Sequence, residues 1–174
     1  MRSPLKKQLF KTLQREMKQR YPGLALTEHD SDRVWSKCLM PELYIFFKVA
    51  AFEDTDTFVA EVAWSDKGLF PWEFRNSELD FDLPVWRIRM GRLWKEWKEE
   101  EPVWELVPED RIAMEARSKA RMSNKPVLYP PSPSVETVLP RIEPAVINVF
   151  EKFQEYGVPL FNKLGNHRGL GDVL

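Results

Sequence analysis

The sequence predicts an α+β domain: an antiparallel sheet of about four to six strands packed with an N-terminal helix and a C-terminal helix. Three observations point there. Apolar residues recur every four positions near the start. Three successive segments between residues 32 and 65 alternate with a period of two. A second helical apolar stripe follows after residue 134. Residues 1–164 are read as a single α+β domain with a less regular segment at 95–133, and 165–174 as a flexible tail.

The first helix is expected over 4–20. Leu5, Leu9, Leu13 and Met17 form the stripe and Phe10 widens it. Ser3 is placed to cap it, Pro4 suits its first turn, and Tyr21-Pro22-Gly23 stops it. Lys6, Lys7, Lys11, Arg15 and Lys18 occupy the other face, read as a solvated surface in preference to an anion site.

After Gly23 the period changes. "DRVWSKCLM" (32–40), "ELYIFFKVAAF" (42–52) and "DTFVAEVAWS" (56–65) are rich in aromatic and β-branched residues and bounded by turn formers. In the third, Phe58, Ala60, Val62 and Trp64 share one face. Val59, Glu61 and Ala63 share the other, and Glu61 makes that face at least partly polar. "EDTD" (53–56) and "SDKG" (65–68) supply turns, so the strands form a meander. "PVWRIRMGRLW" (84–94) alternates again. Trp86, Ile88 and Met90 are assigned to the core, with Arg87 and Arg89 on the opposite face.

In the last element, 134–156, Ser134 opens the turn. Leu139, Ile142, Val146, Val149, Phe150 and Phe153 form the stripe. Pro140 and Pro144 separate or kink its beginning, so a compact helix starts near 144 and Gly157 caps it. "VPLFNKL" adds a short helical turn.

Composition removes several classes of function. Hydrophobic residues make up 43% of the 174, with seven Trp and eleven Phe, enough for a core rather than a disordered chain. A net charge of -1 carries no general attraction for nucleic acid or acidic membranes. The longest apolar run, "LYIFFKVAAF", contains Lys48 and is far shorter than the roughly 18 residues a membrane span needs. The charged N-terminus does not read as a secretory signal, and the single cysteine suits a cytoplasmic setting. His29, His167 and Cys38 have no metal-ligand spacing. Cys38, beside Trp35 and Leu39, is read as a buried inert thiol. No nucleotide or hydrolase motif occurs, and Asp54, Asp56, Asp80 and Asp82 sit in turn-like contexts. The expectation is a chain without catalytic residues, metal or cofactor.

Three features invite a binding role. Arg87 and Arg89 either grip an anion or pair across strands with Glu61 or Glu53, and pairing is preferred. The acidic segment 94–110 carries Trp97, Glu99, Glu100, Glu101 and Trp104. It either packs onto the sheet or offers aromatic anchors and carboxylates to a basic partner. Phe70 and Trp72, which follow the "SDKG" turn without a strand pattern, either cover the sheet or form an apolar lip for a partner.

The order of these features resembles an uncharacterised family of small bacterial α+β domains with toxin-immunity-like members. The likeness rests on "FFKVAAFEDTDTFVAEVAWSDKGLFPW", "VWRIRMGRLW" and "FQEYGVPLFNKL". Its matching positions are Phe58, Val59, Glu61, Trp64, Ser65, Pro71, Tyr156, Gly157 and Pro159. The resemblance implies an α+β fold and a toxin-neutralising context, and no catalytic residue. Segment 95–133 departs from the family pattern. The leading expectation is a non-catalytic, protein-binding domain whose partner is another protein, a cognate toxin in the immunity reading, with no membrane partner. The alternative is a small anion- or nucleic-acid-binding module using the basic helix, Arg87 and Arg89.

Overall fold

Alternation carries consecutive strands into one antiparallel meander. In the computed structural model, residues 1–29, 32–52, 55–73, 78–93, 103–108 and 133–174 are described. Strands β1 (Ala25–His29), β2 (Asp32–Met40), β3 (Leu43–Ala51), β4 (Thr57–Ser65) and β5 (Val85–Arg89) lie side by side in chain order. A two-residue strand, β6 (Trp104–Glu105), pairs with the first residues of β4 and completes a six-stranded sheet. β1 and β6 were not anticipated. Each is short, and neither has enough alternation to announce itself.

Helix α1 (Ser3–Arg20) and the C-terminal helices cover one face of the sheet. Leu5, Leu9, Leu13 and Met17 of α1 meet Val146, Val149, Phe150 and Phe153 over Phe47, Val62 and Trp64 in one buried cluster. Trp64 and Trp86 are cross-strand partners with stacked rings 4.4 Å apart. Their indole N–H groups donate to Leu83 O and Glu78 O at 2.9 Å, so neither buried polar tip is left unsatisfied. The assignment of Phe58, Ala60, Val62, Trp64, Trp86, Ile88 and Met90 to the core face holds. Met90 already belongs to a short 3-10 turn (Met90–Leu93), so the expected strand through residue 94 stops at Arg89.

The ends of α1 and the C-terminal region depart from local rules. Ser3 is the first helical residue rather than the cap. Asp56, in the β3–β4 turn, accepts from the Arg2 backbone N–H at 2.8 Å and from Arg2 Nε at 2.7 Å. A tertiary carboxylate thus anchors the residue that precedes the helix, and no side chain among the described residues caps its first turn. Ser134 does cap α2 (Val135–Val138), accepting from Thr137 N at 3.4 Å. A 3-10 turn through Leu139–Arg141 leads into α3 (Ile142–Lys152), and Pro144 falls in its first turn, where proline is tolerated.

Gly157 does not cap this helix. A π turn (Phe153–Gly157) carries the chain on into α4 (Val158–His167). A Cβ at Gly157 would lie 2.3 Å from Phe153 Cδ2, so glycine lets that ring lie against the backbone while it packs on Phe47. Residues 165–174, expected as a flexible tail, finish α4 and fold back. Asn162 Oδ1 accepts from Val173 N and Leu174 N at 2.8 and 3.0 Å, and Lys37 Nζ donates to Val173 O at 2.7 Å.

Candidate functional site

The face of the sheet away from the helices carries a row of charges. Strand alternation sets Lys48 of β3 on the opposite side from Phe47, and Glu61 of β4 on the opposite side from Ala60 and Val62. Register makes Lys48 and Glu61 direct partners and sets Arg89 across from Glu61, with Arg87 on the diagonal. Asp32 of β2 closes the other end. Lys48 Nζ lies 3.1 Å from Asp32 Oδ2 and 3.0 Å from Glu61 Oε2. Arg87 Nη2 lies 2.8 Å from both Glu61 oxygens, while Arg89 Nε is 3.9 Å from Glu61 Oε1. Asp32, Lys48, Glu61 and Arg87 are all buried.

The segment after β4 covers this row. Phe70 is buried among Val34, Phe46 and Ala63, with its ring edge-on to Phe46. Arg87 Nη1 donates to Trp72 O at 2.6 Å and Pro71 O at 3.3 Å, which ties the covering strap to β5. The Trp72 ring stands 4.2 Å from Lys48 Nζ and is 40% exposed. Burial by itself pushes the Glu61 carboxyl up. The Lys48 charge and the Arg87 hydrogen bonds outweigh it and hold the group below the ordinary carboxylate value. Glu61 is therefore an ionised structural anion with both oxygens engaged, not a poised general base.

A cleft of about 340 Å³ opens at one end of the same sheet. Its walls come from the β2–β3 hairpin (Met40, Glu42, Leu43), the β4–β5 connection (Asp66, Asp82) and Arg168 beyond α4. Glu42 takes a positive φ of 62°, which turns the hairpin tightly after Pro41. Arg168 Nη2 donates to Phe81 O at 2.7 Å, and His167 Nε2 sits 2.8 Å from Asp82 Oδ1. These contacts fasten α4 to the connection.

The structure brings Arg87, Arg89, Phe70 and Trp72 together on one face, and Arg87 takes the cross-strand pairing with Glu61. Trp104 lies elsewhere. It is buried on the helix side, stacked on Phe58 at 5.8 Å, and donates through Nε1 to Asn148 Oδ1 at 3.0 Å, so its ring is occupied internally. Trp97, Glu99, Glu100 and Glu101 lie outside the described residues. Cys38 corrects its expectation: it is exposed, because alternation sets it on the face opposite the core residue Trp35, near the end of β2, where its thiol donates to Met40 O at 3.4 Å. Asp32 and Lys48 were missed. The signal was a lone lysine in an otherwise apolar strand, whose partner could be found only by knowing the register.

Among the described residues no group of three or more His, Cys, Asp or Glu side chains is arranged to hold a metal ion, and no helix is long and apolar enough to cross a membrane. Comparison with protein-family models, with curated proteins and with solved structures returned no match.

Proposed function

We propose that this chain is a non-catalytic protein-binding domain acting in the cytoplasm, and that it occludes its partner in the manner of the toxin-immunity proteins its sequence resembles. One observation carries the reading: Trp72 is anchored through its carbonyl and its ring yet remains 40% exposed. Its backbone carbonyl is gripped by a buried arginine and its ring stacks over a buried lysine. A tryptophan pre-organised in this way loses little conformational freedom on association, which is what a hot-spot residue requires. Leu69, at 72% exposure, extends the same lip.

The anion- or nucleic-acid-binding alternative draws less support. Arg87 commits both terminal nitrogens to Glu61 and the strap and is buried, and Arg15 of the basic helix face pairs with Glu143 at 2.7 Å. The test is affinity capture from the source cells with the native chain and Trp72→Ala side by side. A partner retained by the native chain and at least about tenfold weaker on the variant supports the proposal. Failure to retain any stable partner, or equal retention by both proteins, counts against it.

A further inference from the structure

We infer that the partner presents a basic segment interleaved with apolar residues, and that it docks where the β2–β3 hairpin, the β4–β5 connection and the end of α4 converge. This rests on the protein-binding reading above and adds the surface and the partner's chemistry to it.

Shape is the first argument. The cleft of about 340 Å³ at this end is large enough to take a long side chain and has both apolar and carboxylate walls. Exposed apolar area is the second. Of the six exposed large apolar side chains among the described residues, Met40, Leu69, Trp72, Leu79 and Leu170 belong to these three elements, and only Phe52 does not. Met40 lines the cleft itself, and Leu69, Leu79 and Leu170 lie within three residues in the chain of Asp66, Asp82 and Arg168 of its wall.

Charge is the third argument, and it selects the occupant. The described residues of the connection (66–73 and 78–82) carry Asp66, Glu73, Glu78, Asp80 and Asp82 against Lys67. Glu42 adds a carboxylate from the hairpin. From α4 and its end, His167 Nε2 is engaged with Asp82, and Arg168, the one fixed positive charge among the described residues lining the cleft, donates to the Phe81 carbonyl. An acidic surface that also carries methionine and leucine is complementary to arginine or lysine alternating with apolar side chains, and would repel an acidic partner.

The test is a titration of isotope-labelled protein with a twelve-residue peptide of alternating arginine and leucine, followed by amide and indole chemical shifts. A glutamate–leucine peptide is the control. The expected perturbations fall on residues 40–43, 66–73, 78–84 and 168–170, and affinity falls steeply as salt rises. A Glu42→Gln, Glu78→Gln, Asp80→Asn variant changes exposed side chains only and is expected to bind the basic peptide about tenfold or more weakly. Equal binding of the acidic peptide, perturbations centred elsewhere, or undiminished affinity in the variant would overturn the inference. A cellular partner captured equally well by this variant removes the docking site and leaves the binding function standing. A peptide that docks as expected while no cellular partner is retained removes the function and leaves the surface.

Discussion

Arg87 Nη2 stands 2.8 Å from each carboxylate oxygen of Glu61, and both side chains are almost wholly shielded from solvent. Arg89 is the direct cross-strand partner of Glu61, yet the diagonal arginine makes the bidentate contact. Its other terminal nitrogen holds the Pro71–Trp72 carbonyls, so one guanidinium joins the charge row to the exposed tryptophan.

Removing the carboxylate should therefore be costly. Glu61→Ala leaves Lys48 and Arg87 buried without their shared anion, a loss of about 3–5 kcal/mol by the measured behaviour of broken buried pairs. Urea denaturation measures it. A cost below about 1 kcal/mol would mean that the cations recover their hydration by local opening.

The same group makes stability depend on pH. The folded Glu61 value lies below the ordinary one, so its contribution is present above the unfolded carboxylate value of about 4.3 and is lost as pH falls through the folded value. The stability difference between the native protein and Glu61→Gln should be constant near neutrality and shrink in acid. Parallel stability curves down to acid unfolding would contradict this sign.

Phe70 and Trp72 should separate in their effects. Phe70→Ala empties a buried site against Phe46 and should cost about 3 kcal/mol. Trp72→Ala removes a half-exposed ring and one cation contact, about 1 kcal/mol or less of stability. Thermal or urea unfolding of both variants distinguishes them, and the partner-capture loss is expected from Trp72→Ala alone.

Gly165 is where the C-terminal segment returns. An added Cβ would lie 2.4 Å from Gly171 O and 2.5 Å from Val173 Cγ1. Gly165→Ala should destabilise by about 1–3 kcal/mol and speed hydrogen exchange at Val173 and Leu174, whose amides bond Asn162. Unchanged exchange there would show that the segment is not held by this contact.

Cys38 is exposed and should be modified by a disulfide exchange reagent in the folded protein, without prior unfolding. Reaction only at the rate of global unfolding would return it to the buried class.

Much of the fold was legible because alternation is a local property. Phe58, Val62 and Trp64 against Glu61 assign both faces of β4 without any neighbour, and Leu5 to Met17 do the same for α1. Gly157 was misread, and the contacts made by residues 165–174 were not foreseen, because both depend on groups brought from a distance. Gly157 serves the Phe153 ring across a π turn, and residues 165–174 are tied by Asn162 and Lys37. The candidate site divides the same way. Arg87 on the polar face opposite Trp86 was readable, and so was the choice between covering and exposed roles for Phe70 and Trp72. Which of the two aromatics is buried was not.

From sequence alone come the α+β class, the meander order, the core faces of β4 and β5, and the basic face of α1, all set by periodicity within single segments. Tertiary structure decided that Glu61 is shared by Lys48 and Arg87, that Phe70 is inside while Trp72 is half outside, and that Trp104 faces the helices. Those outcomes depend on strand register and on which segment crosses which face. A side chain's energy there is set by neighbours that lie dozens of residues away along the chain.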